Sequence, residues 1–254
     1  SNPMIHIFPY WDFSEGQLID VRVCSNAPKI ELFFNDVSLG TFSIDHRHGK
    51  RLLGNWQIPY SKGVLKAVAY DENGNVIAEE IKSSFGDAAK IVLTPDKTIL
   101  NADGRDLAFI EITAVDANGI AVENANNRVD VCVKGCGRLI GLDNGDSTDY
   151  DQYKGTSKRL FNGKLLAIVA STYEPGDIEI TVSSPGIETQ FIKLRAIPCS
   201  YPEGLSNTLF ENKPSEPVNE IPVRKIELVS LDGNRLNENK KSVTVKAMLH
   251  PKNA

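Results

Sequence analysis

Ile178-Glu179-Ile180-Thr181-Val182 alternates apolar and polar side chains without a break. This period of two decides the fold class, because successive strand residues point to opposite faces, one buried and one wet. Ile110-Glu111-Ile112-Thr113-Ala114 repeats the pattern. Working outward, apolar runs of strand length are separated by turn chemistry. Asp71-Glu72-Asn73-Gly74-Asn75 lies between Val64 to Tyr70 and Val76 to Ile81, and Asp116-Ala117-Asn118-Gly119 marks another reversal. Asn and Gly tolerate the positive φ that such turns require. No segment repeats its apolar residues at helical spacing. The expectation is an all-β chain of tandem antiparallel β-sandwiches.

Seven candidate strands fill the first part: near Ile5, then Leu18 to Cys24, Lys29 to Asn35, Ser38 to Ile44, Leu52 to Ile58, Val64 to Tyr70 and Val76 to Ser84. Seven strands make a sandwich, expected over residues 1–86. A second sandwich is expected over 87–196, opening with Ala89 to Pro95 and closing with Ile187 to Leu194. Residues 197–221 contain Pro198, Pro202, Pro214 and Pro217 and no period. They read as an extended linker with Leu205, Leu209 and Phe210 as anchors. Val223 to Leu228 and Ser242 to Leu249 read as the first strands of a truncated third domain, 222–254. A lone hairpin is marginal in water, so it is expected to pack on the second sandwich or pair with another molecule.

The chain has 254 residues, 28 basic and 33 acidic side chains, and a net charge of -5. The charges are mixed along the sequence, which argues against a nucleic-acid partner and against an anionic membrane surface. No apolar run is long enough for membrane insertion. Cys132 and Cys136 would stand about 13 Å apart along a straight strand, beyond the roughly 7 Å limit for a bridge. Free thiols are therefore expected, and no second ligand pair has the spacing of a zinc site.

The segment from Leu139 to Gly163 carries a resemblance. Its marks are the Gly141-Leu142-Asp143-Asn144-Gly145-Asp146 loop, Lys158-Arg159, and Phe161-Asn162-Gly163 leading into the apolar strand Lys164 to Val169. It resembles an immunoglobulin-like domain behind the catalytic barrel of family 2 glycoside hydrolases. Pro3 to Phe13 resembles the segment leaving that barrel, and Lys29 to Asn35 with Ser38-Leu39-Gly40 resembles the next domain's second hairpin. The second domain also resembles an invasin-type or fibronectin-like domain, and the last strands resemble the start of a bacterial group 2 Ig-like domain. The resemblance implies tandem immunoglobulin-like or fibronectin-like sandwiches and no catalytic barrel. It further implies a β-galactosidase-like parent acting on β-galactosides in the periplasm or at the surface of a bacterium, with the parent's own barrel as partner. The chain itself is expected to be inactive, since family 2 chemistry needs two carboxyl groups about 5 Å apart at the strand ends of a (β/α)8 barrel.

Three features could still carry chemistry. Asp143-Asn144-Gly145-Asp146-Ser147-Thr148-Asp149-Tyr150-Asp151 crowds carboxylates into one loop, as a calcium site would. Asp143, Asp146 and Asp149 are the candidate ligands, against the alternative of a turn held by Asx hydrogen bonds. His46-Arg47-His48 suggests a metal clip or a plain surface loop. If the domains touch carbohydrate, an aromatic face must pack on a pyranose. Tyr10 and Trp11 are candidates for substrate contact or for packing between domains, and Trp56 for substrate contact or for the core, beside Leu52 and Ile58. Besides a structural role, a carbohydrate-binding module and an adhesion or stalk module therefore stay open. No cofactor is expected apart from a structural calcium at that loop.

Overall fold

The computed structural model describes residues 2–45, 48–49, 52–200, 212, 214–215, 219–231, 233, 235–236 and 238–254. Eighteen strands and no helix are present among them, so the chain is all-β and contains no (β/α)8 barrel. It divides into two compact units, Ser1–Phe85 and Gly86–Ala254.

The first unit is a sandwich of seven strands: β1 (Ile5–Phe8), β2 (Leu18–Ser25), β3 (Lys29–Phe34), β4 (Val37–Ser43), β5 (Leu53–Pro59), β6 (Val64–Tyr70) and β7 (Val76–Ser83). One sheet runs in the order β1-β2-β5 and the other β4-β3-β6-β7, with antiparallel pairing throughout. The alternation of β2 puts Ile19, Val21 and Val23 inside, and β3 and β6 add Ile30, Leu32, Leu65 and Ala67. Asp71 shapes the β6–β7 hairpin: one carboxylate oxygen accepts the amides of Asn73 and Asn75, and Gly74 takes φ 86°. The Asn75 side-chain amide, which donates to the other carboxylate oxygen at 3.0 Å, acts with those backbone bonds to hold the Asp71 carboxyl below its ordinary pKa.

The core of this unit closes on a residue outside any strand. Trp11, between β1 and β2, is fully buried. Its ring lies 5.1 Å from Tyr60 and 6.0 Å from Phe34, and its indole N–H donates to the Ser61 carbonyl at 3.2 Å. The buried polar end is thereby satisfied. Trp56 is half-buried against the same core, edge-on to Phe42 at 4.7 Å, with its N–H donating to the Leu39 carbonyl. Its ring lies across Gly54, where an added Cβ would meet it at 2.5 Å. The face is thus Gly54, Trp56 and Ile58, whereas Leu52 is exposed: pairing with β2 starts at Leu53, opposite Cys24.

The second unit begins with β8 (Lys90–Pro95), β9 (Ile99–Asn101), β10 (Leu107–Val115), β11 (Arg128–Gly135) and β12 (Gly137–Asp143). It continues through β13 (Ser157–Arg159), β14 (Lys164–Ser171), β15 (Gly176–Ser184) and β16 (Ile187–Ile197). The strand order is β12-β14-β10-β8-β16-β15-β11-β13, with β9 beside β16. The β8–β16 junction is a single parallel bridge, Glu188 to Lys90. Ile178, Ile180 and Val182 of β15 and Ile110 and Ile112 of β10 are all fully buried. Asp116 organises the β10 turn by accepting the amides of Asn118 and Ile120 on one oxygen and Gly86 on the other. The four cysteines carry no bridge.

The linker anchors Leu205, Leu209 and Phe210 lie outside the described residues. Ser215 does reach the second sandwich, its hydroxyl accepting the amides of Thr156 and Ser157 at 3.1 Å. The final hairpin, β17 (Lys225–Ser230) and β18 (Val245–His250), belongs to the same unit. Arg224 pairs with Asp87 at 2.5 Å, and His250 lies 3.0 Å from Glu227.

Replacing Trp11 by Ala is expected to cost about 3–5 kcal/mol. The half-exposed Trp56→Ala should cost less. Urea unfolding followed by circular dichroism checks the order, and a smaller loss for Trp11 than for Trp56 would contradict the core assignment.

Candidate functional site

The acidic loop joins β12 to β13 and is folded almost entirely by its own side chains. Asp143 accepts the amide of Gly145, Asn144 accepts that of Asp146, Asp146 accepts that of Thr148, and Asp149 accepts that of Asp151. Each is a side-chain acceptor reaching an amide two residues on, the Asx geometry that Asp and Asn supply in turns. Gly145 provides the one positive φ, 74°. The Asn144 amide donates to the Asp149 carboxylate at 2.7 Å and to the Arg159 carbonyl at 3.0 Å, tying the loop to β13.

The cation at this loop is a side chain. Lys158 on β13 is 1% exposed. Its ammonium sits 3.1 Å from Asp149 Oδ2, 3.0 Å from the Asp151 carbonyl and 4.8 Å above the Tyr153 ring centre. Arg128 holds Asp151 at 2.6 Å. Burial alone would raise the pKa of Asp149, but the Asp151 amide, the Lys158 ammonium and the Asn144 amide together hold it below the ordinary value. The three carboxylates proposed as calcium ligands are therefore not gathered around a common centre. Asp143 and Asp146 are spent on backbone amides, and Asp149 faces the ammonium. Among the described residues, no group of three His, Cys, Asp or Glu side chains could hold a metal ion.

The aromatic candidates are placed differently from a sugar platform. Trp11 is enclosed by its own sandwich, and Tyr10 is half-buried, stacked on Phe13 at 5.3 Å with planes 7° apart. Trp56 turns its ring toward Phe42. Trp11 presents no free ring face, because the apolar interior of a small sandwich claims its largest side chains first. Among the described residues the most exposed aromatic is Tyr150, 99% exposed at the acidic loop. His46 and Arg47 lie outside the described residues, while His48 pairs with Asp45 at 2.9 Å.

Sequence reading missed Lys158. Its signal was its place in the Lys158-Arg159 pair of the resemblance, which says nothing of burial, and a lysine on a short strand is ordinarily solvated. Nothing in local patterning indicates that an acidic loop folds back over it.

The chain has counterparts among known proteins. Residues 91–193 match the model of glycoside hydrolase family 2 C-terminal domain 5, and residues 16–78 match a domain of unknown function, DUF4982. Beta-galactosidase BoGH2A of Bacteroides ovatus is 34% identical over 194 residues, covering 76% of this chain and 22% of that protein. A beta-glucuronidase of Formosa agariphila is 27% identical over 216 residues, covering 82% of this chain and 21% of that protein. The crystal structure of a beta-glycosidase from Bacteroides vulgatus superposes with a TM-score of 0.71 at 30% identity, over 77% of this chain and 25% of that one. The chain thus spans about a fifth of the length of the curated relatives it matches.

Lys158→Met leaves Asp149 without its ammonium and is expected to cost about 3 kcal/mol. Because the folded pKa of Asp149 is depressed, its contribution is present above the unfolded value of about 3.9 and lost as pH falls through the folded one. Without Lys158 that folded pKa moves up toward the unfolded value, so the part of the stability that Asp149 loses in acid should shrink. Urea unfolding of both proteins across an acid series measures the difference.

Proposed function

We propose that these two sandwiches, which are C-terminal accessory domains of the family 2 glycoside hydrolase type, support and position the catalytic barrel of a longer bacterial enzyme. The carrying observation is how the candidate groups are used. The rings of Trp11 and Trp56 and the charges of Lys158 and Asp149 serve the interiors of their own domains. Groups so fixed give rigid bodies, which suit positioning. The chemistry would belong to the barrel, where the paired carboxyl groups of a retaining glycosidase are presented.

The beta-galactosidase relative supports β-galactosides as the parent's substrate, and a periplasmic or cell-surface location is part of the same proposal. In this reading the domains contribute stability and geometry, and the barrel contributes substrate recognition.

The isolated chain should therefore turn over neither a chromogenic β-galactoside nor a β-glucuronide. In a full-length enzyme carrying these domains, Lys158→Met should shorten the half-life of activity on heating and leave KM unchanged. A raised KM at unchanged heat stability would instead point to direct substrate contact by the second sandwich.

A further inference from the structure

Four asparagines in this chain are followed directly by glycine: Asn73, Asn118, Asn144 and Asn162. That dipeptide carries its own chemistry. The glycine amide nitrogen attacks the asparagine carboxamide carbon, and a glycine without Cβ leaves the approach open. A C–N bond forms to close a cyclic imide, the bond from that carbon to the side-chain nitrogen breaks, and ammonia leaves with the glycine amide proton. Water then opens the ring at either carbonyl and gives aspartate or isoaspartate. Water is the only co-reactant.

The sites share a dipeptide but differ in how the fold holds them. Asn73 and Asn118 are exposed, each in a turn gathered by an aspartate that accepts its backbone amide, Asp71 or Asp116. Neither side chain makes a hydrogen bond among the described residues, so each carboxamide is free to swing over the nitrogen that follows. That nitrogen is held by one bond inside the same turn. Gly74 donates to the Asp71 carbonyl at 3.2 Å and Gly119 to the Asp116 carbonyl at 3.0 Å. Opening such a bond at an exposed turn is a local event.

Asn144 is held by its side chain. Its carboxamide oxygen accepts the Asp146 amide, and its nitrogen donates to the Asp149 carboxylate at 2.7 Å and to the Arg159 carbonyl at 3.0 Å. Ring closure would have to break all of these bonds. At Asn162 the side chain is exposed but the nitrogen that must attack is fixed. Gly163 is buried, its N–H donates to the Ala125 carbonyl at 3.1 Å, and its own carbonyl accepts the Ala114 amide at 2.9 Å.

We propose that Asn73 and Asn118 are modification sites at which the folded chain deamidates spontaneously, while the fold protects Asn144 and Asn162. Isoaspartate at residue 73 puts an extra carbon into the main chain between Asp71 and the Asn75 amide, which now meet at 2.8 Å. At residue 118 it does the same between Asp116 and the Ile120 amide, now 2.9 Å apart. Either product also adds a negative charge beside the carboxylate that organises the turn. The modification thus loosens the reversals on which strand register depends, whatever role the domains serve in a longer enzyme.

The test incubates the whole chain in mildly alkaline buffer, folded and in denaturant, and follows each site by peptide mapping with mass spectrometry. Dividing the folded rate by the unfolded rate at each site removes the effect of local sequence. That ratio is expected to be about tenfold lower at Asn144 and Asn162 than at Asn73 and Asn118, the effect of the bonds that must first break. A ratio at Asn73 or Asn118 no higher than at Asn144 or Asn162 would overturn the proposal.

Discussion

The apolar layer between facing sheets is the constraint on which everything else in this chain depends. In the second unit, Ile178, Ile180 and Val182 disappear from solvent along one strand and Ile110 and Ile112 along another. Their neighbours Glu179, Thr181 and Glu111 stay outside. A one-residue slip would exchange the two sets. Register, strand order and turn position are therefore tightly coupled, and hairpins such as Asp71–Asn75 need side chains that finish the reversal within a few residues.

Polar residues inside this framework serve construction. Asp71 and Asp116 each gather backbone amides into a tight reversal. Asp149 does the same for one amide while pairing with Lys158, so one carboxylate both shapes a loop and neutralises a buried charge. Burying an ammonium is costly unless it is paired and hydrogen-bonded. The carboxylate, the Asp151 carbonyl and the Tyr153 face meet that requirement together. Trp11 is the apolar counterpart in the first unit, a loop residue that completes a core and satisfies its own N–H on the Ser61 carbonyl. Asp130 is the contrasting case. It is half-buried without a hydrogen-bonding partner among the described residues, and it lines a pocket beside β11.

How much could be read in advance follows from the range of each interaction. All seven strands of the first unit lie where alternation and turn residues put them, within a residue or two. The resemblance carried by Gly141 to Asp146, Lys158-Arg159 and Phe161-Asn162-Gly163 agrees with the match to a family 2 C-terminal domain over 91–193. Asn162 and Gly163 both take positive φ, and a Cβ on Gly163 would meet the Val122 carbonyl at 2.3 Å. Part of that motif is therefore backbone geometry. The aromatic residues were less legible. Composition gives the same Trp to a sugar platform and to a core, and only the packing of Tyr60 and Phe34 around Trp11 separates them.

The sequence by itself determined the all-β class, the strands of the first unit and the turns at Asp71 and Asp116, because period two and Asx or Gly chemistry act between residues a few places apart. Tertiary structure alone decided what the side chains serve. Lys158 meets an acidic loop seven to nine residues upstream only because β13 pairs with β11. Asp130 comes beside Ser183 only through the register of β11 on β15. Such meetings depend on strand pairing across long stretches of chain, and no local pattern encodes which strand becomes the neighbour of which.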